Sequence, residues 1–235
     1  MAKTSNSTSK KLAPTKWCFP KGTVPFLTKL RANNNREWFT QNKADYERDV
    51  LEPGADFCEL MTVEFEKLTG KTHNFKIFRV HRDVRFSKDK TPYKAHLHIL
   101  FRPAEGGDGG LGVPAWFFGL EPDKLVLGAG IFGFEKSALD TYRQRVAGPE
   151  GKRLQTAITK LQSKDFRLRD PQLKRVPQGY AADHERADLL RHKGLTIWAD
   201  HAGGPKAAVA PKLVTSCAGM YRQMKPVFDW LSSAG

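Results

Sequence analysis

The segment WFFGLEPDKLVLGAGI, residues 116–131, decides the fold class. Its two apolar runs, 116–120 and 125–131, are separated by Glu-Pro-Asp-Lys, in which Pro and Asp are typical turn residues. Two short apolar runs joined in this way predict a β-hairpin with antiparallel strands. Both runs are too short for a membrane-spanning helix, which needs about 20 apolar residues. We therefore expect a protein without membrane association.

Further strands are predicted on both sides of this hairpin. Residues 75–86 and 95–102 alternate between apolar and polar side chains, as strands do. No helical pattern interrupts the four strands, so they predict an antiparallel meander. Downstream, residues 166–176 around Asp170-Pro171 predict a small hairpin, and residues 195–199 predict a last strand.

Apolar residues at helical spacing flank the strands. Upstream they predict three helices, and the helix starts are Thr23, Asn35 and Pro53, with Gly70 ending the third. Downstream they predict four more, namely a helix with the capping-box pattern Ser137-x-x-Asp140, one over 154–161, one from Asp183 to Lys193, and one that Pro226 bends or ends. The expected architecture is a single α+β domain over residues 23–235, in which helices from both ends of the chain flank the antiparallel meander sheet.

The first 22 residues have a different composition from the rest. They contain five lysines, much Ser and Thr, and no acidic residue, which predicts a flexible basic tail over residues 1–22. A targeting peptide would favour arginine, and this segment has none. The three cysteines, Cys18, Cys58 and Cys217, form no C-x-x-C pair and predict neither a disulfide framework nor a zinc site. A reducing, cytoplasmic location is the expectation.

Positive charge is concentrated in one part of the sequence. The chain has 39 basic and 25 acidic residues, a net charge of +14. Residues 71–102 contain nine Lys or Arg and two Asp, so this segment carries +7 of the total. Guanidinium and ammonium groups that converge on one face bind phosphate or carboxylate. We call residues 71–102 the basic hairpin and predict that it recognises phosphate-bearing ligands, with nucleic acid as a candidate.

Particular residues carry that prediction. The expected ligand-binding side chains of the basic hairpin are Arg79, Arg82, Arg85, Lys88, Lys90, Tyr93 and Lys94. Asp83 is expected to orient the arginines, and Tyr93 to cover the ligand. A second basic patch, Lys174 and Arg175, either joins the hairpin in one cationic groove or lies apart from it. The alternative interpretation is a solvated surface on which the charges form ordinary ion pairs.

Two other function classes remain open. An enzyme acting on an anionic substrate would use Asp83, His96 or His184 as acid–base groups, although Asp183 beside His184 also fits a helix cap. A protein-interaction domain would present the same basic surface to an acidic partner. The pair His96-x-His98 offers imidazole ligands, but the nearby arginines oppose a dication, so no metal and no cofactor are expected. The oligomeric state stays open.

The segment RDVRFSKDKTPYK, residues 82–94, resembles the signature of a family known as domain of unknown function 2461. The segments NNREWF at 34–39 and LKRVPQGYAADH at 173–184 agree with it, and the resemblance extends over residues 23–231. It implies one coherent domain and marks two polar clusters, the basic hairpin and residues 174–184. It implies no particular activity.

Overall fold

The computed structural model describes residues 14–106 and 112–233 and contains a six-stranded antiparallel sheet. The strands are β1 (His73–Ile77), β2 (Leu97–Pro103), β3 (Ala115–Leu120), β4 (Leu125–Ile131), β5 (Arg167–Leu168) and β6 (Leu195–Asp200). Their order in the sheet is β1-β2-β3-β4-β6-β5. The predicted meander of four strands is confirmed, and β6 and β5 extend it beyond β4.

Helices precede and follow the meander, which confirms the α+β class. They are α1 (Thr23–Ala32), α2 (Arg36–Gln41), α3 (Lys43–Tyr46), a π-helical turn (Glu47–Leu51), α4 (Glu52–Thr69), α5 (Lys136–Ala147), α6 (Glu150–Gln162), α7 (Ala187–Leu190) and α8 (Leu213–Ser232), with 3-10 turns at Ala104–Gly106 and Gly204–Val209. Among the helices of the described residues, none is both long and apolar enough to cross a membrane.

Several predicted helix ends are confirmed and others are wrong. The Asn35 side chain accepts a hydrogen bond from the Trp38 backbone N–H at 2.9 Å, and Gly70 ends α4 with φ = 73°. Pro53 lies in the first turn of α4, as predicted, although α3 and the π-helical turn lead into α4 without a break. Two expectations fail. The helix after β4 starts at Lys136 without a side-chain cap, so the capping box at Ser137 is wrong.

The helix expected to start at Asp183 is also wrong, because α7 covers only Ala187–Leu190. The preceding residues form successive turns instead, in which the His184 N–H donates to the Ala181 carbonyl and the Ala187 N–H to the His184 carbonyl. The imidazole Nδ1 of His184 accepts a hydrogen bond from the Arg186 backbone N–H at 3.0 Å. Such a local side-chain contact stabilises a turn at the expense of a helix.

Two predicted strand segments are shorter in the structure. The strand expected over 75–86 ends at Ile77, beyond which a single bridge pairs His81 with Tyr93. Phe86, expected on an apolar strand face, is 97% exposed. The small hairpin over 166–176 is wrong: only β5 forms, and it pairs with β6. Residues after β5 are held by a different contact, since the Gln172 side chain accepts hydrogen bonds from the backbone N–H groups of Lys193 and Gly194.

The helices and the sheet enclose one aromatic core. Phe65 of α4 stacks on Trp116 of β3, and Trp116 stacks on Phe228 of α8. The core begins before residue 23, the predicted domain boundary, because Trp17 and Phe19 are buried in it and the Phe19 N–H donates to the Ala208 carbonyl. Trp17 and Phe19 therefore pack this part of the predicted tail against the domain, and residues 1–13 of the tail lie outside the described residues.

Candidate functional site on the open face of the sheet

The sheet has two unlike faces. Side chains alternate along each strand, so Trp116 and Phe118 of β3 enter the helix-covered core while Phe117 points to the opposite side. That side carries a second, smaller apolar cluster: Leu100, Ala115 and Phe117, with Phe78, Val126, Phe132 and Trp198 packed against them. No helical residue of the described chain belongs to this cluster. We call this side the open face.

Trp198 of β6 lies on the open face. It pairs directly with Gly128 of β4, and a Cβ atom on Gly128 would lie only 2.6 Å from Trp198 Cε3 and 2.7 Å from Cζ3. The indole therefore occupies the space that a side chain at Gly128 would fill. Its Nε1 donates a hydrogen bond to Thr196 Oγ1 at 2.8 Å, which holds the ring in place. The result is a fixed, partly exposed aromatic ring on the sheet.

Other aromatic rings surround Trp198. Phe117 meets it edge to face, with 5.0 Å between ring centroids, and Phe132 lies 5.8 Å away in a similar arrangement. On the other side of Phe117, the imidazole of His98 lies 5.0 Å from its ring, again edge to face. Edge-to-face packing keeps these rings in fixed orientations. The open face thus carries a rigid aromatic surface, in which Phe117 is buried and Phe132 and Trp198 are partly exposed.

Cations line one end of this surface. The strand register brings the start of β2, the turn between β3 and β4, and the end of β6 to the same end of the sheet. Here lie four cationic side chains that we call the basic rim: Arg82, Lys94, Lys124 and Arg167. The Glu121 carboxylate lies 3.5 Å from the Lys124 ammonium, and Asp200 accepts two hydrogen bonds from Arg167.

Lys94 is the least compensated cation of the rim. No described acidic side chain forms an ion pair with it, whereas Lys124 has Glu121 and Arg167 has Asp200. Burial, and then the charges of Arg79 and Arg82, lower the pKa of the Lys94 ammonium. Its Nζ lies 5.9 Å from the centroid of the Phe78 ring on the open face. An anion that binds here would relieve the repulsion between these cations.

Two neutral histidines lie between the rim and the aromatic surface. Burial, with the charges of Lys94 and Lys124, lowers the pKa of His96 to about 4 and that of His98 to about 3. His98 Nε2 has no hydrogen-bond partner in the described structure, although Glu121 Oε1 is 3.5 Å away. Both rings are therefore uncharged at neutral pH and add polar edges to the open face.

Two of the predicted cations of the basic hairpin, Arg82 and Arg85, pair with aspartates of the same segment. Arg82 donates hydrogen bonds to Asp89, Thr91 and Ser87. The exposed Arg85 forms a bidentate pair with Asp83, whose carboxyl pKa it lowers. The remaining cations take no part in such a pair: Lys90 donates to the Val84 carbonyl, and Arg79 and Lys88 are exposed. These contacts are local, and Lys94 lies beside the open face through its contact with Phe78.

Tyr93, expected to cover a ligand, is a core residue in the structure. It is 6% exposed and stacks on Phe39, with 4.1 Å between ring centroids. Its backbone exchanges hydrogen bonds with the amide of Asn34. The ring anchors the basic hairpin to α2 and is packed away from the open face.

The second basic patch lies at the diagonally opposite corner of the sheet. The Arg191 guanidinium donates to the Lys174 carbonyl at 3.3 Å, which ties residues 174–175 to the chain just before β6. Lys174 and Arg175 are exposed. The basic hairpin adjoins the start of β2, three strands away from β6, and no described hydrogen bond or ion pair joins the two patches.

The three candidate acid–base residues are also apart. Asp83 pairs with Arg85, His96 stacks on His98, and His184 accepts from the Arg186 backbone. No described hydrogen bond or ion pair connects any two of them. Within the described residues there is also no group of three or more His, Cys, Asp or Glu side chains that could hold a metal ion.

Trp198, Lys124 and Arg167 were missed as site residues, although the sequence contained a signal for one of them. Residues 195–199 are a predicted strand, and alternation along it places Thr196 and Trp198 on one face. The sequence does not predict which face of the sheet the helices leave uncovered. Lys124 and Arg167 reach the rim through strand order, which is a property of the whole sheet.

A family model confirms the resemblance seen in the sequence. The model of a family of conserved hypothetical proteins, DUF2461, matches residues 22–230. The chain therefore belongs to the DUF2461 family. A comparison with curated proteins gives no match.

Proposed function

We propose that this protein binds single-stranded nucleic acid on the open face of its sheet. Bases stack on the aromatic surface, and phosphates lie along the basic rim. The observation that carries the proposal is the position of Trp198, a partly exposed ring held over Gly128 in an apolar cluster to which the described helices contribute no residue. Stacking on an exposed aromatic side chain contributes about 1–3 kcal/mol per base and tolerates any sequence.

Charge supports the same ligand. A net charge of +14 gives the whole chain an attraction for polyanions, and the rim concentrates part of that charge beside the aromatic surface. The three cysteines are free, and Cys58 and Cys217 are buried thiols. A reducing compartment such as the cytoplasm, where nucleic acid is present, suits such a protein.

The test is fluorescence anisotropy with a labelled oligothymidine. We expect Trp198→Ala to weaken binding by about 10-fold, which corresponds to one stacked base. Phe75→Ala is the matched control, because Phe75 is 43% exposed and pairs with Phe101 on the opposite face of the sheet. Equal affinity of both variants and the unmodified protein would overturn the proposal.

A salt series tests the role of the rim separately. If Lys94 and Lys124 each contact one phosphate, the logarithm of the affinity falls with the logarithm of salt concentration with a slope of about −1.4. Lys94→Ala then reduces the magnitude of the slope by about 0.7. A slope that stays the same in this variant would show that Lys94 does not contact a phosphate.

A further inference from the structure

A second basic surface lies far from the open face, between α6 and α8. A cleft of about 710 Å³ separates the two helices, a volume typical of small-molecule sites. Five cationic side chains line it, and no acidic side chain does: Lys152, Arg153, Lys160, Lys164 and Arg222. We call this the α6–α8 cleft.

The ends of the cleft are held by contacts between the helices. At one end, Trp230 Nε1 of α8 donates to the Glu150 carbonyl at 3.0 Å. At the other, the Lys164 ammonium donates to Gln223 Oε1 at 3.2 Å. Arg145 binds the carboxylate of Glu150, so this acid is already paired. The cleft is thus a fixed gap between two packed helices.

Its cations are not neutralised within the protein. None of the five forms an ion pair with a described acidic side chain; Lys225 of α8, which does not line the cleft, pairs with Asp229. Three of the cations, Lys152, Arg153 and Lys160, lie on α6, and Lys164 follows its C-terminal end, so the repulsion between these side chains is concentrated along one helix. A compact ligand with several negative charges removes that repulsion.

The lining of the cleft also contains apolar side chains. Ala157 and Leu161 of α6 and the two prolines Pro149 and Pro226 contribute to its lining. An inorganic polyanion would leave these side chains without a partner. A ligand that combines several phosphate charges with an organic moiety matches both parts of the lining.

We propose that the α6–α8 cleft binds an organic polyphosphate of the nucleoside triphosphate class. The phosphates contact the lysines and arginines, and the organic moiety packs on Ala157, Leu161 and the prolines. This site is separate from the open face, and its ligand is a small molecule.

Isothermal titration calorimetry of the full chain, without divalent cations, tests the site with three probes. We expect ATP to bind, inorganic tripolyphosphate to bind about 3-fold to 10-fold more weakly, and adenosine not to bind. Tripolyphosphate that binds as tightly as ATP would overturn the role of the apolar lining. No heat with ATP would overturn the site.

Charge reversal locates the binding. We expect the double variant Lys160→Glu with Arg222→Glu to weaken ATP binding by about 10-fold or more. The control is Arg36→Glu with Lys136→Glu, which makes the same change in net charge at two exposed positions in the first turns of α2 and α5, where acidic residues are favourable. An equal loss in the control would show attraction by net charge alone and overturn the site.

Trp198→Ala separates this proposal from the proposed function. We expect the variant to lose oligothymidine binding and to keep ATP binding, and the cleft variant to behave in the opposite way. Should the cleft variant lose oligothymidine binding instead, the cleft would be a nucleic-acid site and the polyphosphate proposal would be wrong.

Discussion

The imidazole ring of His96 stacks on that of His98, with 3.6 Å between the ring centroids and 19° between the ring planes. The two side chains share a face because residues i and i+2 of a strand point the same way. They are surrounded by the cations Arg82, Lys94 and Lys124, with Glu121 as the acidic neighbour. Protonation of either ring would place a positive charge among positive charges.

Stability should therefore fall when the solution is acidified. The folded-state pKa of His96 is about 4 and that of His98 about 3, both below the unfolded value near 6.5. Below pH 6.5 the unfolded chain takes up protons that the folded protein does not, so the free energy of unfolding decreases as the pH falls. Between pH 7 and pH 5 the loss is at most about 2 kcal/mol for each histidine.

Urea unfolding of a double variant isolates this contribution. We expect His96→Asn with His98→Asn to lose less stability than the unmodified protein between pH 7 and pH 5. His73, His192 and His201 also have lowered pKa values, but they remain in both proteins and cancel in the comparison. Parallel pH profiles for the two proteins would contradict the prediction.

Gly130 lies at a close contact between β4 and β6. Its φ is +136°, and a Cβ atom would lie 2.1 Å from the Leu195 carbonyl oxygen of β6. Gly130→Ala is therefore expected to destabilise the protein by about 3 kcal/mol or more, since backbone would have to move. Gly219 of α8 is the control: nothing lies within 4 Å of its Cβ position, and Gly219→Ala should stabilise the helix by up to about 1 kcal/mol. Denaturant melts of the two variants that shift equally would contradict this reading.

The glycines also show what could be predicted from the sequence. The pattern Gly128-x-Gly130 in a predicted strand indicates close backbone packing, and the structure confirms it at Gly130, whereas Gly128 leaves room for the Trp198 side chain. Local signals of this kind fixed the hairpin of β3 and β4, the cap at Asn35 and the end of α4 at Gly70. Each depends on residues within a few positions along the chain.

The open face could not be predicted in this way. It depends on which side of the sheet the helices cover, and that is decided by the packing of α4 and α8 on the residues around Trp116. The core position of Tyr93 could not be predicted for the same reason, because its contact with Phe39 joins residues 54 positions apart. The positive charge of the basic hairpin can be counted from the sequence, but the pairing of Arg82 with Asp89 depends on the path of the loop.

Arg82 offers a prediction about that loop. It donates hydrogen bonds to Asp89, Thr91 and Ser87 and so closes residues 82–91 into a ring. We expect Arg82→Ala to speed amide hydrogen exchange over residues 83–91, with a change of less than about 1 kcal/mol in global stability. Arg85→Ala is the control, because the Arg85 pair with Asp83 spans only two residues and does not close the ring. If the two variants exchange alike, Arg82 does not order the loop.

Arg186 carries the last prediction, since it is a buried cation that ends a helix. It is 7% exposed. Its guanidinium donates to the carbonyls of Val146 at 2.6 Å and Ala147 at 3.0 Å, the last two residues of α5, and to the carbonyl of the next residue, Gly148, at 3.2 Å. These carbonyls have no partner within the helix, and a positive charge at a helix C-terminus is favourable.

Removing Arg186 should therefore be costly. We expect Arg186→Ala to lower the free energy of unfolding in urea by about 3 kcal/mol, because the buried Val146 carbonyl and the half-buried carbonyls of Ala147 and Gly148 lose this donor. Arg186→Lys should recover part of this, since one ammonium cannot reach all three carbonyls as a guanidinium does. Arg36→Ala, at an exposed position, should change stability by less than about 0.5 kcal/mol. A lysine variant as stable as the unmodified protein would show that charge alone, and not the fork of the guanidinium, holds the end of α5.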